Sequence, residues 1–200
     1  MNAARFGAAL EGRDIHAIVI AGSAGGVDAL LNLLPRLPEG FALPVVAMLH
    51  VPEHRDSRLA ELFAPRMALP TREASDKEEI SPGTVYFAGS GYHLSVEKDF
   101  RFSLSCEPPV NFARPAIDVL MASAAEAYGP HLAAVLLTGA NQDGAVGMRI
   151  IKEYGGLTVV QDPAEAQVAT MPELAIKMQA PDLVLNLAGI GDLLLLLEKK

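Results

Sequence analysis

The chain has 200 residues, half of them apolar and 20% charged, with a formal net charge of −8. That length suits one domain, whose core needs no disulfide or metal staple. The composition excludes disorder, and the acidic balance argues against nucleic acid as a partner. The single cysteine, Cys106, excludes an internal disulfide and a cysteine-rich metal site.

The first residues carry no signal-like apolar run. Apolar runs such as Leu193–Leu197 are far short of the ~20 residues that span a bilayer. The expectation is a cytoplasmic protein with no direct membrane insertion. Arg55, Arg58, Arg66 and Arg72 lie close together in sequence and read as scattered charges on a solvated helix face.

Taken in chain order, apolar runs alternate with helical periodicity. His16–Ala21 predicts a buried strand and Gly22–Gly26 a turn. Val27, Leu30, Leu31 and Leu34 then recur at helical spacing until Pro35 and Pro38 stop the helix. Pro44–Leu49 predicts a second buried strand, and Ser57–Phe63 a short helix with Ser57 as its N-cap. Thr84–Ala88, His93–Val96 and Arg101–Cys106 are strand-like pieces without helices between them, which suggests an antiparallel or hairpin excursion. Pro115–Tyr128 is helical, His131–Leu137 a strand and Ala145–Tyr154 a helix stopped by Gly155–Gly156. Strand Leu157–Gln161, helix Pro172–Gln179, strand Leu183–Leu187 and helix Ile190–Glu198 complete the chain.

Continuous apolar strands alternating with helices indicate a mostly parallel, doubly wound α/β sheet covered on both faces. A β-rich, antiparallel extension is expected near residues 69–107. Residues 1–14 read as an N-terminal extension and residues 15–200 as one domain.

In open parallel sheets, ligands bind beyond the carboxyl ends of the strands. Ser23 follows the first predicted strand, His50 the second, and Asp143 lies in the loop after His131–Leu137. These are the parts of a nucleophile, base and orienter. A serine hydroxyl is a weak nucleophile until a base takes its proton, and an imidazole suits that task near neutrality. A carboxylate on the far ring nitrogen fixes the tautomer and stabilises the imidazolium. Backbone N–H groups near Ala24 and Ala140 could hold an oxyanion.

Each part alone has a plainer explanation. A Gly-rich turn after a first strand is more often a phosphate site or only a turn. However, GSAGGV lacks the second glycine of G-x-G-x-x-G, and no G-K-S/T loop is present. The elbow G-x-S-x-G is missed at Ala21. Strand-end histidines are usually structural, and Asp143 could simply cap the helix near Ala145. His50 and His54 frame HVPEH, but Pro52 disfavours a helix there and H-E-x-x-H is absent. His16, His93 and His131 read as ordinary strand or loop residues. The coincidence of Ser23, His50 and Asp143 at one sheet edge is what favours catalysis.

Read together, IVIAGSAGGVDAL, VVAMLHVP, HLSVEK after FAGSGY, PPVNFARPAIDVLMASAAEAYG, AAVLLTGANQDGAVGM, GGLTVVQD and MPELAI resemble the chemotaxis receptor methylesterase family, specifically the CheB-type catalytic domain. They run in family order from about Ile15 to the C-terminus. The resemblance implies hydrolysis of glutamate γ-methyl esters on chemoreceptor helices, with deamidation of particular receptor glutamines as a second activity. It places the nucleophile at Ser23, the histidine at His50 and the aspartate at Asp143, and it implies neither metal nor cofactor. Its expected partners are methylated chemoreceptor cytoplasmic helices and a separate regulatory or receiver protein. Family members usually carry an N-terminal receiver domain, and this chain reads as the catalytic domain without one. Departures fall on the rim: Ala24 follows the serine, Ala140-Asn141 precede Gln142-Asp143, and Phe112-Ala113 follow PPVN. The rivals are the same hydrolytic machinery acting on another ester or amide, a non-catalytic signalling module, and, more distantly, a nucleotide-binding protein.

Overall fold

Six consecutive buried residues form β1 (Ala17–Gly22), the centre of the sheet. Ile18 and Ile20 point into the core on one face, and Ala17, Val19 and Ala21 into the core on the other. A strand buried on both sides needs apolar residues at every position, which is what this run supplies. The computed structural model describes residues 6–50 and 57–198.

A four-residue helix, α1 (Gly7–Leu10), precedes β1. After it come α2 (Gly26–Leu33), β2 (Val45–Leu49), α3 (Leu59–Phe63), β3 (Thr71–Glu73) and β4 (Val85–Phe87). A hairpin of β5 (His93–Val96) and β6 (Phe102–Ser105) follows. The second half holds α4 (Ile117–Tyr128), β7 (Leu132–Leu136), α5 (Ala145–Glu153), β8 (Leu157–Gln161), α6 (Thr170–Met178), β9 (Leu183–Leu185) and α7 (Leu187–Leu197). Asn186 caps α7, its side chain accepting from Gly189 N at 2.9 Å.

Seven strands form one sheet in the order β3-β4-β2-β1-β7-β8-β9. Every pairing in it is parallel. Helices α2 and α7 pack together on one face, and α4, α5 and α6 on the other. Leu30, Leu33, Leu193 and Leu194 are buried on the first face. Each fully buried leucine is worth about 1.5–3 kcal/mol of transfer free energy.

The expected doubly wound α/β class is what the chain adopts. The antiparallel excursion is smaller than the sequence suggests: among the described strands only β5 and β6 pair antiparallel, with Glu79–Arg101 an isolated antiparallel bridge beside them. Val85–Phe87 instead joins β2 in the main sheet, and Thr71–Glu73 extends it as an edge. Val85–Phe87 is too short to show a periodicity, which is why it reads as part of the excursion. The expected cap at Ser57 is also absent. Arg58 occupies the N-cap of α3, and no side-chain cap is made there.

This topology fixes the site. From β1 the chain steps to β2 on one side, while β7 lies on the other. The strand order reverses between β1 and β7, and the carboxyl ends of strands at such a point are where open parallel sheets bind ligands.

Candidate active site

Strands β1, β2 and β7 end side by side, with Gly22 paired to Leu49 and Ala21 to Leu136. Residues just beyond them are therefore neighbours. Ser23 N continues the ladder by donating to Thr138 O at 2.9 Å, and His50 N donates to Gly22 O at 3.4 Å. The turn after Ser23 closes when Gly26 N donates to Ser23 O at 2.8 Å. Gly25 takes φ 80° in this turn, and a Cβ there would meet Gln167 Oε1 at 2.5 Å, so only glycine fits.

Ser23 Oγ lies 3.2 Å from His50 Nδ1, and His50 Nε2 lies 2.8 Å from Asp143 Oδ2. The three residues predicted from the sequence thus meet in one chain of contacts. An ionised carboxylate can only accept, so Nε2 carries its hydrogen toward Asp143. Nδ1 of the neutral ring is then left as the acceptor for the Ser23 hydroxyl. The ring nitrogens are used in the opposite sense to that of chymotrypsin-type sites, where Nε2 faces the serine.

Asp143 is fully buried. Oδ2 accepts from Ile117 N at 2.7 Å, and Oδ1 from Asp118 N at 3.0 Å, Asn111 Nδ2 at 3.0 Å and Gly144 N at 3.1 Å. Burial pushes this carboxyl up, but the hydrogen bonds from His50, Asn111, Asp118 and Ile117 outweigh it and hold the group below the ordinary aspartate value. Two of the donors are the first N–H groups of α4, so the carboxylate also sits at that helix's positive end. The expected role for Asp143 as cap of the following helix is only partly met, because its main bonds are to α4.

Sequence reasoning missed several neighbours. Asn111 Nδ2 bridges Asp143 and Asp118, reaching Asp118 Oδ2 at 2.8 Å. Asp118 Oδ1 accepts from Gly144 N at 2.9 Å and from Gly147 N at 2.7 Å. Burial raises the Asp118 carboxyl most. The hydrogen bond from Gly147 opposes that rise, the charge of Asp143 adds to it, and the bonds from Asn111 and Gly144 offset part of it. Asn141 Nδ2 approaches His50 Nδ1 at 3.3 Å, sharing the acceptor used by Ser23, while Asn141 Oδ1 takes the N–H of Asp143 at 3.1 Å. Asn141 and Thr138 lie in the same strand-end loop as Asp143, a signal that could have marked them. Asn111 and Asp118 lie on other elements and gave no such signal.

Thr138 ties the loops together. Its hydroxyl lies 2.9 Å from Ala24 O and accepts from Val168 N at 2.8 Å, while Thr138 N donates to Gln161 Oε1 at 2.8 Å. Ala24 and Ala140 are both exposed at the rim. Among the described residues, neither of their N–H groups donates a hydrogen bond.

The other sequence candidates lie elsewhere. His93 is buried: its Nδ1 accepts from Ala116 N at 3.2 Å and its Nε2 donates to Pro108 O at 3.1 Å. His16 and His131 stack with centroids 4.3 Å apart and planes 10° apart, next to Asp14. Parallel rings send their nitrogen lone pairs side by side rather than toward one point. Arg58 pairs with Glu61 and Arg72 with Glu78, and Arg66 donates to Leu62 O. Pro52, His54 and Arg55 lie outside the described residues.

Residues 18–194 match the family model described as CheB methylesterase. A putative protein-glutamate methylesterase/protein-glutamine glutaminase of Leptospira interrogans is 46% identical over 92% of this chain and 95% of its own length. A protein-glutamate methylesterase/protein-glutamine glutaminase of Clostridium acetobutylicum is 34% identical over 89% of this chain but 52% of its own length. The crystal structure of the CheB methylesterase catalytic domain of Thermotoga maritima superposes with a TM-score of 0.86 at 34% identity, covering 92% of this chain and 98% of that one.

Proposed function

The chain belongs to the CheB methylesterase family, and from that premise we propose that it hydrolyses glutamate γ-methyl esters on chemoreceptor helices through Ser23, His50 and Asp143. The observation that carries this reading is one imidazole within hydrogen-bond reach of both a serine hydroxyl and a buried carboxylate.

In this reading Ser23 Oγ attacks the ester carbonyl carbon as His50 Nδ1 takes the hydroxyl proton. The carbonyl electron pair moves onto oxygen. The unengaged N–H groups of Ala24 and Ala140 support a role as donors to that oxyanion. Collapse of the adduct breaks the bond to the methoxy oxygen, which leaves as methanol with the proton from Nδ1. Water then attacks the acyl-serine, again giving a proton to Nδ1. The second collapse returns that proton to Ser23 Oγ and frees the glutamate carboxyl. Asp143 remains ionised and holds the Nε2 hydrogen while positive charge builds on the ring. A receptor glutamine would follow the same course with ammonia as leaving group, in keeping with the paired names of the relatives. A regulatory or receiver protein is the second partner in this reading.

The test is methanol release from a methylated chemoreceptor cytoplasmic fragment by the unsubstituted chain and by Ser23→Ala. Loss of the nucleophile is expected to lower turnover by several orders of magnitude, up to about 10⁶-fold. Near-normal turnover by Ser23→Ala would end the proposal. Covalent labelling of Ser23 by a fluorophosphonate separates an enzyme from a binding module built on the same fold.

A further inference from the structure

Val110 and Ala113 exchange backbone hydrogen bonds, Val110 N to Ala113 O at 3.1 Å and Ala113 N to Val110 O at 2.9 Å. Asn111 and Phe112 are the two residues between them, with φ of 52° and 62°. This is the primed two-residue hairpin, which needs positive φ at both central positions and favours asparagine then glycine. Asn111 suits its place. Phe112 does not, since a bulky L-residue in the left-handed region is strained.

No packing of the Phe112 ring against the described residues offsets that strain, because the side chain is fully exposed. Aromatic rings of this size normally bury their faces. The hairpin is also fixed to the candidate site. Asn111 Nδ2 holds the carboxylates of Asp143 and Asp118, and Gln142 Nε2 donates to Asn111 Oδ1 at 3.4 Å. Arg114 donates to the carbonyls of Cys106 and Glu107, bracing the hairpin's base. A strained, solvent-facing aromatic thus stands on a turn whose other central residue grips the carboxylate behind His50. Strain held beside a reacting group points to a role outside the fold itself.

A γ-methyl ester offers only its carbonyl, its alkoxy oxygen and a methyl group, and nothing in these distinguishes it from any other small methyl ester. Selection of one ester on a protein must then come from residues beside it. We infer that Phe112 is a specificity-determining residue of this chain, seating against an aliphatic side chain one helical turn from the esterified glutamate on a helical substrate. This rests on the methylesterase reading given above. Exposed Val110, on the same hairpin, widens the apolar contact. On a helix, residues three or four apart share a face, so such an aliphatic neighbour would be presented together with the ester.

The experiment compares the unsubstituted chain with Phe112→Gly and Phe112→Tyr. Two substrates are used: a methylated chemoreceptor cytoplasmic fragment and p-nitrophenyl acetate. Glycine relieves the turn and removes the ring. The ratio of kcat/KM on the fragment to kcat/KM on the small ester is expected to fall about tenfold for Phe112→Gly, mainly through KM. Phe112→Tyr, which keeps the ring, is expected to restore most of that ratio. An unchanged ratio in Phe112→Gly would overturn the inference, as would equal losses on both substrates. If the unsubstituted chain cleaves the small ester but releases no methanol from the fragment, the methylesterase reading fails and the inference with it. If it processes the fragment and Phe112→Gly does so equally well, the inference fails alone.

Discussion

Asp118 and Asp143 exchange helix caps. Asp143, in the loop before α5, accepts from the first N–H groups of α4 at Ile117 and Asp118. Asp118, in the first turn of α4, accepts from Gly144 and Gly147 at the start of α5. Neither helix has a cap from its own N-cap residue, Ala116 or Gly144. The two helices are thereby locked start to start, and Asp143 is held where His50 meets it. Asn111 spans both carboxylates and eases their repulsion.

Asp118→Ala removes the acceptor of two helix N–H groups. It is expected to cost about 1–3 kcal/mol, which shifts the melting midpoint by about 2–4 °C per kcal/mol in a chain of this size. Asp118→Asn keeps an acceptor oxygen and should lose less. The Asp118 carboxyl is raised in the fold by burial first and by the charge of Asp143 after it. A raised folded value means that its stabilising contribution is present below the ordinary aspartate value and is lost as pH rises through the folded one. The gap between Asp118→Asn and the unsubstituted chain should therefore narrow as pH rises. Thermal melts over the acid range measure both effects.

Asp143→Asn is expected to lower turnover by about 10⁴-fold, the loss that the equivalent change causes in serine proteases by favouring the wrong imidazole tautomer. It keeps an oxygen for the α4 N–H groups, so the chain should fold. Asp143→Ala strips that cap as well and should be the less stable of the two. Methanol release read beside the melting midpoint separates the tautomer effect from the capping effect. A Asp143→Asn chain with unimpaired turnover would show that the carboxylate does not act through His50.

The parts of this architecture that a sequence displays are those encoded within a few residues. The runs that became β1, β2 and β7 are apolar at every position because both faces are covered, and Ser23 and His50 follow two of them directly. Asp143 lies farther along its loop, but no intervening helix obscures it. Asn111 and Asp118 were not legible. They act through contacts to Asp143 across 32 and 25 positions of chain, and no local pattern records such a distance. The edge strand Thr71–Glu73 was missed for a different reason: its residues are polar and largely exposed, so it shows no buried face. The ring nitrogen that faces Ser23 depends on how β2 delivers the imidazole, which composition does not specify.

Gly144→Ala should be among the more damaging single changes near the site. Gly144 has φ 93°, and a Cβ there would stand 2.6 Å from Leu136 Cδ1 and 2.9 Å from Ile117 Cγ2, both in buried residues. Strain and overlap together are expected to cost at least about 2 kcal/mol. Displacing Ile117 also disturbs its N–H bond to Asp143, so turnover should fall even in the folded fraction. Gly40→Ala is the control. Its φ is 85° with nothing within 4 Å of the added Cβ, so strain acts alone at about 1 kcal/mol and turnover should hold. Equal stability losses in the two variants would mean that the α4–α5 junction yields to the added methyl.

Asp182 gives a pH dependence that can be read far from the candidate site. Its Oδ2 accepts from Thr158 N at 2.9 Å and Thr158 Oγ1 at 2.8 Å, with Lys152 Nζ 3.4 Å from Oδ1 and Arg13 3.7 Å from Oδ2. Burial pushes this carboxyl up, but the two Thr158 bonds and the two cations more than reverse it, leaving it below the ordinary aspartate value. A lowered folded value contributes stability above the unfolded value, and that stability is lost as pH falls through the folded one. Asp182→Asn should therefore be less stable at neutral pH by about 1–2 kcal/mol, the worth of charge-assisted hydrogen bonds partly kept by the amide. Once pH drops well below about 3.9, where the unfolded carboxyl is protonated, the two chains should converge. Urea unfolding at neutral and acid pH makes the comparison. A deficit that stays constant across that range would show that the amide disturbs the β8–β9 edge by shape rather than by loss of charge.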